Sequence, residues 1–273
     1  MNTLAPLTEL VSVDPSIVDG FGRNGHALVE GLATADEVAG YRPLLERAAL
    51  DNAWDKRPIA ERDTYGKAFL QSFNLWRLDE HLARFSCSPR FAKVAADLLG
   101  VDGVRMYHDQ ALFKEAGGGR TPWHQDQHYW PLGEAPTITM WMPLADLRPE
   151  VGSMEFVSGT HLEGNLVDLG ISDESEAAYA ALIADRGWQI ETHGPLKAGD
   201  ATFHAGWTLH AARPNPTADL RPVMTVIYVD ADATVAEPAN DAQRLDLAIW
   251  LKGSEPGGPI VGEANPILWP TES

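Results

Sequence analysis

Cysteine is almost absent from this 273-residue chain: Cys87 stands alone. One thiol excludes an internal disulfide, and it excludes any metal or iron–sulfur site built from thiolates alone. Basic side chains are also few. Lys and Arg total 21 against 39 Asp and Glu, for a formal charge of −18. A nucleic-acid backbone needs compensating cations, so the charge argues against nucleic acid as a partner and weakly disfavours polyanionic substrates. No window approaches the roughly 18 apolar residues of a membrane span. The opening residues, MNTLAPLTELVSVD, lack the basic start and long apolar run of a secretory signal. A soluble, cytoplasmic protein with no membrane partner is the expectation. Repeats, low-complexity tracts and charge blocks are missing too, so nothing marks a boundary, and residues 1–273 read as one domain.

What is present is enough for a full core: 44% of the residues are hydrophobic, and there are nine Trp, which read first as packing, with some available to wall a pocket. The first hundred residues look mostly helical. Residues 14–23 predict a short helix stopped by Asn24-Gly25, and 26–30 a short strand. Thr34-x-x-Glu37 is a capping-box pattern, after which Val38, Tyr41, Leu44, Leu45 and Ala48 recur at helical spacing. Ser88-Pro89 opens a second helix with Phe91, Val94, Ala95, Leu98 and Leu99 on its buried face, and Gly100 ends it.

Beyond Gly100 the pattern turns to strands and turns. Residues 104–114 alternate, with Met106, His108, Gln110 and Leu112 on one side. Further strands are expected at 137–144, 153–157, 188–192, 201–204, 207–211 and 223–229. A helix over 173–186 is inserted among them, anchored by Ala177, Ala181 and Ile183. Helices first and short strands after imply an α+β chain. Flanking N-terminal helices (about 1–100) pack outside a double-stranded β-helix, a cupin-like jelly-roll (about 101–230), and a C-terminal extension covers 231–273.

The first candidate for chemistry is Pro122-Trp123-His124-Gln125-Asp126. In extended chain, residues two apart point to the same side, so His124 and Asp126 can reach one metal ion. His-x-Asp alone is a weak signal and needs a third ligand from a later strand; His210, in Gly206-Trp207-Thr208-Leu209-His210, fits. Two imidazoles and one carboxylate on one face make the facial triad of non-haem Fe(II) oxygenases. A rival pair, His124 and His128 at i, i+4, would suit zinc on a helix. Pro122 and Pro131 bracket that segment, however, and no glutamate follows His124 to act as a base. Arg221, eleven residues after His210, opens a strand. An arginine deep in a barrel is costly unless paired, and a bound dicarboxylate would supply the partner.

Three segments together resemble the phytanoyl-CoA dioxygenase (PhyH) family of Fe(II)/2-oxoglutarate-dependent oxygenases. They are Pro122 to Asp126; residues 151–161, VGSMEFVSGTH, similar to that family's strand leading into a Pro-Gly-Ser-His turn; and residues 209–215, LHAARPN, followed by Arg221. The resemblance spans roughly residues 20–230. It implies iron on His124, Asp126 and His210, with Arg221 gripping the far carboxylate of 2-oxoglutarate. Gln110 and Trp141 occupy places where family members touch the same co-substrate, and Thr139 lies on the same side of its strand as Trp141. The implied cofactors are Fe(II), 2-oxoglutarate as co-substrate and O₂, acting on a small molecule, with succinate and CO₂ released. Related halogenases lack the carboxylate that Asp126 supplies, so hydroxylation or another oxidative outcome is implied, be it desaturation, cyclisation or epimerisation. The one departure, Ser158-Gly159-Thr160 for Pro-Gly-Ser, touches no ligand position.

Other residues read more plainly. His161 is expected to stabilise a turn, His204 to be structural or pocket-lining, and Asn215 to cap a turn. His108, Tyr129 and Trp130 are candidates for substrate lining, with packing as the other reading. Two further functions stay open at this point: a zinc or manganese hydrolase or isomerase on the same barrel, which would not need Arg221, and a non-catalytic binding protein with a relic site. Substrate identity and oligomeric state are not legible in the sequence.

Overall fold

The computed structural model describes residues 4–270. Its helices are α1 (Pro15–Asn24), α2 (Ala35–Asp51), α3 (Thr64–Ala68), α4 (Glu80–Ser86), α5 (Pro89–Leu99), α6 (Asp173–Arg186) and α7 (Asp241–Trp250). Its strands are β1 (His26–Val29), β2 (Leu70–Phe73), β3 (Val104–Phe113), β4 (Thr121–His124), β5 (Thr137–Pro143), β6 (Met154–Val157), β7 (Ile190–Glu191), β8 (Ala201–Ala205), β9 (His210–Ala212), β10 (Val223–Asp230) and β11 (Ile267–Trp269). The expected capping box is formed: the Thr34 hydroxyl accepts from Glu37 N at 3.2 Å, and the Glu37 carboxylate accepts from Thr34 N at 2.8 Å. Ser88 caps α5 in the same sense, with Pro89 at the first helical position, and Gly100 closes it in the left-handed conformation at φ 69°.

Two antiparallel sheets face each other as a double-stranded β-helix. The major sheet runs β1-β8-β5-β10-β3-β11 with β2 also on β3, and the minor sheet runs β4-β9-β6-β7. The outer face of the major sheet (Ile138, Met140, Phe203, Met224, Val226) joins Tyr41, Leu45, Phe91 and Val94 of α2 and α5 in the main core. The inner face carries polar rows set by register. Gln110 lies opposite Thr225, Thr225 opposite Trp141; His108 opposite Ile227, Ile227 opposite Thr139, and Thr139 opposite His204. Strand alternation turns both rows the same way, into the space between the sheets. No described helix is long and apolar enough to cross a membrane.

Several expectations need correction. Met106 does not share a face with His108, Gln110 and Leu112. The β3–β10 register slips between His108 and Met106, opposite Ile227 and Tyr228, and this bulge sends Met106 outward into the main core. Tyr107 turns inward instead, beside Trp130 and Ile227. The strand expected at 207–211 begins only at His210, because Gly206 and Trp207 form a turn. In α6, Ala177 and Ala181 are exposed; Ser175, Tyr179 and Ile183 are the buried positions. Leu44 is 38% exposed, and Ala49 takes the buried place instead. The strand expected over 188–192 shrinks to the exposed pair Ile190 and Glu191. The short elements α3, β2, α4 and α7 were not foreseen individually. The C-terminal extension folds back onto the barrel: β11 pairs with β3, while Asn240 and Gln243 at the start of α7 donate to His128 O at 3.2 Å each. Residues 271–273 of that extension, and residues 1–3 of the opening segment, lie outside the described residues.

Candidate active site

A cavity of about 630 Å³ opens between the two sheets. His124 ends β4 and His210 begins β9, and the two stand directly opposite in the minor-sheet register. Their ring centroids are 4.1 Å apart. Gln125 is extended, so Asp126 returns to the side of His124 before a 3₁₀ turn over Asp126–Tyr129 begins. Gln125 itself points away, donating to Gly164 O at 2.8 Å and Trp207 O at 2.7 Å. Asp126 Oδ1 lies 3.5 Å from His124 Nε2 and 3.7 Å from His210 Nε2. Ligand atoms of the three residues fall within 4.8 Å of one another, and among the described residues no other His, Cys, Asp or Glu cluster does so.

The surroundings fit these residues to a metal. Nδ1 of His124 donates to Pro122 O at 2.7 Å, and Nδ1 of His210 donates to Thr208 O at 2.8 Å. Both Nδ1 atoms therefore hold the proton, and both Nε2 lone pairs face Asp126, the arrangement second-shell bonds impose on metal-ligating histidines. Asp126 Oδ2 accepts from Thr139 Oγ1 at 3.0 Å and from His204 Nε2 at 3.2 Å, which turns Oδ1 toward the imidazoles. Burial pushes the Asp126 carboxyl up, but His210, His124 and His204 outweigh it and hold it well below the usual carboxylate range. Burial, with His124 and His204 beside it, drives His210 well below the ordinary imidazole value, so its ring is neutral. Two neutral imidazoles and one carboxylate on one face suit a ferrous ion with open positions opposite.

His128 does not join this group. It sits on the 3₁₀ turn with Nδ1 3.4 Å from Asp168 Oδ1, so the zinc pairing with His124 is not formed.

Arg221 lines the same cavity and is 5% exposed. Nη1 donates to Gly152 O at 2.8 Å and Nη2 to Leu112 O at 3.0 Å, which leaves the buried Nε without an acceptor. Its carbon lies 5.3 Å from the centre of the Trp141 ring. Burial brings the guanidinium down to about 9. Lys114, paired with Arg221 across a β-bridge, is a second buried cation. Its Nζ donates to Ala68 O, Gly119 O and Thr121 Oγ1, and burial together with Arg221 pulls it well below the usual lysine range. Among the described residues, neither cation has a carboxylate within 4.0 Å; their partners are carbonyls and a hydroxyl. Two desolvated positive charges without a counter-ion are expensive in a closed protein, and an anionic ligand relieves that cost.

The remaining sequence candidates also line the cavity. Gln110, Trp141, Thr139 and His108 come from the inner rows of the major sheet, and Tyr129 and Trp130 from the turn after Asp126. Thr139 serves Asp126 directly. Tyr129 is also pinned, its hydroxyl accepting from Ile171 N at 2.6 Å. Trp130 both faces the cavity and packs on Tyr107 at 5.4 Å. His161 bonds Gly22 O at 3.3 Å, and Asn215 bridges the carbonyls of Lys114, Glu115 and Asp219, as turn-building residues do. Sequence reasoning missed Lys114, whose role depends on a cross-strand neighbour, and Asp246 and Trp250 of α7, which also line the cavity. Only the 3.6 spacing of α7 could have hinted that the last two share a face.

A family model described as phytanoyl-CoA dioxygenase (PhyH) matches residues 21–223. The ectoine dioxygenase of Stutzerimonas stutzeri (strain A1501) is 26% identical over 253 residues, covering 84% of this chain and 81% of that protein. Among solved structures, the epimerase SnoN in complex with Fe3+, α-ketoglutarate and nogalamycin RO aligns with a TM-score of 0.75 at 27% identity, covering 93% of this chain and 100% of the other. The non-haem α-ketoglutarate-dependent carbocyclase SnoK from nogalamycin biosynthesis aligns at the same TM-score of 0.75 and 24% identity, covering 94% and 96% of the two chains, which speaks to the fold.

Proposed function

The chain belongs to the phytanoyl-CoA dioxygenase family of 2-oxoglutarate-dependent non-haem iron dioxygenases, and from that premise we propose that it hydroxylates a C–H bond of a small molecule. His124, Asp126 and His210 hold the iron, and Arg221 grips the co-substrate. The observation that carries this reading is the uncompensated charge of Arg221 in the same cavity as the His-Asp-His group. A hydrolase or isomerase using that metal group alone has no need of a buried guanidinium.

Bound iron with 2-oxoglutarate supplies O₂ activation, and succinate and CO₂ are released. The protein's own residues place and protect the reactants. The Nε2 atoms of His124 and His210 and Oδ1 of Asp126 offer lone pairs from one side. Thr139 and His204 hold Oδ2 and keep the carboxylate from rotating. Arg221 pairs with the distal carboxylate of 2-oxoglutarate through a two-point fork, and Lys114 adds positive charge behind it. Trp141 packs against the guanidinium and holds its plane. Gln110, adjacent to Thr225 in the inner row, borders the co-substrate. His108 is buried and pushed down to about 3, so it faces the cavity uncharged. Tyr129, Trp130 and His108 wall the substrate space and exclude water, which strengthens every charge interaction inside. Fixing the reacting C–H near the metal is the protein's main contribution to rate.

Adding Fe(II) and then 2-oxoglutarate under anaerobic conditions should produce a visible charge-transfer absorption. Folded, iron-loaded protein that gives no band, or succinate formation no higher than in an Asp126→Ala control, refutes the proposal.

A further inference from the structure

The family match ends at residue 223, yet α7 contributes to the cavity wall. Four aspartates line that cavity: Asp55, Asp63, Asp126 and Asp246. Three are accounted for. Asp55 is forked by Arg57, with Nη2 at 2.6 Å from Oδ2. Asp63 caps α3, accepting from Gly66 N at 2.7 Å. Asp126 belongs to the metal group. Asp246 has neither a cation within 4.0 Å nor a helix end to serve: its Oδ2 accepts from Tyr107 Oη at 2.9 Å, the one side-chain hydrogen bond it makes among the described residues. Among the described residues no Lys, Arg or His nitrogen approaches it.

The wall around Asp246 is aromatic. Trp250 follows one turn later on the same helix face, 4.9 Å from Phe73 and 5.1 Å from His108 between ring centroids. Tyr107 stands behind, 5.4 Å from Trp130. Burial pushes the Asp246 carboxyl up to about 7, against the pull of Tyr107 and the nearby Trp250. A carboxylate buried beside an aromatic wall is costly when empty and well matched to one ligand class. A cation gains from the carboxylate and from the negative faces of the rings together. A neutral polyol would leave that charge without a counter-ion.

We propose that Asp246, set by Tyr107 and flanked by Trp250 and Phe73, binds a positively charged nitrogen of the substrate, so that the enzyme acts on a small organic amine, amidinium or quaternary ammonium compound. The proposal rests on the oxygenase reading for its chemistry, but the binding site stands apart from it. Asp246 and Arg221 divide the work, the acid taking the cationic substrate and the guanidinium the anionic co-substrate. Opposite charges at the two places keep each ligand out of the other's position.

The test is binding to wild-type protein, followed by tryptophan fluorescence and calorimetry. The probes are 2-phenylethylammonium, benzyltrimethylammonium and the neutral 2-phenylethanol, which matches the first in shape. At least one ammonium is expected to bind roughly tenfold or more tighter than the alcohol. Asp246→Asn, which retains an acceptor for Tyr107, should erase that preference, and Tyr107→Phe should reduce it. Equal affinities for cation and alcohol in the wild type overturn the proposal, as does an Asp246→Asn protein that keeps the preference. If Asp246→Asn does not fold, the wild-type comparison alone decides. Cation preference with no ferrous–2-oxoglutarate band would retain this site and remove the oxygenase reading; a band without cation preference would do the reverse.

Discussion

Replacing Arg221 by Met removes the guanidinium and keeps most of the stem that packs on Trp141. Truncating one partner of a buried, hydrogen-bonded charge pair costs about 2 to 5 kcal/mol, or roughly 30- to 5,000-fold in Kd. That loss should fall on 2-oxoglutarate. The iron should not feel it, because Arg221 shares no hydrogen bond with His124, Asp126 or His210. Stability has opposing contributions. Gly152 O and Leu112 O lose their donors, at about 1 to 3 kcal/mol each if no water replaces them. Lys114 loses a repulsive neighbour, and a desolvated charge disappears. A modest drop in the unfolding midpoint is therefore expected beside a large drop in co-substrate affinity. The assay is an anaerobic titration of iron-loaded protein with 2-oxoglutarate followed in the visible band, with iron affinity measured separately by chelator competition. Equal losses for iron and 2-oxoglutarate, or an unchanged 2-oxoglutarate affinity, would falsify the clamp assignment.

Two smaller changes probe the supports of the same site. Thr139→Val removes the hydroxyl that donates to Asp126 Oδ2 at 3.0 Å; iron affinity should fall roughly 10- to 100-fold with little change in unfolding, and undiminished iron retention counts against the bond's role. Gly152 sits at φ 62°, and a Cβ there would lie 2.9 Å from Arg221 Cδ and 3.1 Å from Lys114 Cδ. Gly152→Ala should therefore cost about 1 to 2 kcal/mol in backbone strain, lower the midpoint by about 2 to 8 °C, and weaken 2-oxoglutarate binding. A variant with wild-type co-substrate affinity shows that Arg221 can shift without consequence.

The clustering of His124, Asp126 and His210 was readable because its geometry is written locally: His124 and Asp126 share a face across one extended residue, and His210 needed only a strand opposite. Arg221 was readable because its position after His210 pairs with the cost of burying it. The capping box and the helix ends followed from short-range bonds for the same reason. Alternation failed in β3, since a bulge is a property of two strands and the sequence of one does not reveal it; Met106 and Tyr107 exchanged sides accordingly. Periodicity failed in α6, where Tyr179 buries and small alanines stay in solvent, because a helix lying on a barrel is anchored by a few large side chains. Lys114 and Asp246 were invisible for a third reason. Their meaning lies in what does not neutralise them, and that is known only when every neighbour is in place.

The attachment of α7 has a bearing on how such an enzyme diversifies. The helix hangs between two moorings, the His128 carbonyl at one end and the β11 edge pairing at the other. Between them its side chains reach the barrel at Tyr107, Phe73 and His108. Mutations at Leu245 or Ile249 can thus reshape the substrate cavity at small thermodynamic risk to the scaffold that binds iron and oxygen, whereas Asp246 and Trp250 also hold Tyr107, Phe73 and His108 in place. New chemistries on this barrel can arise by rewriting one tethered helix while the oxidising machinery stays in place.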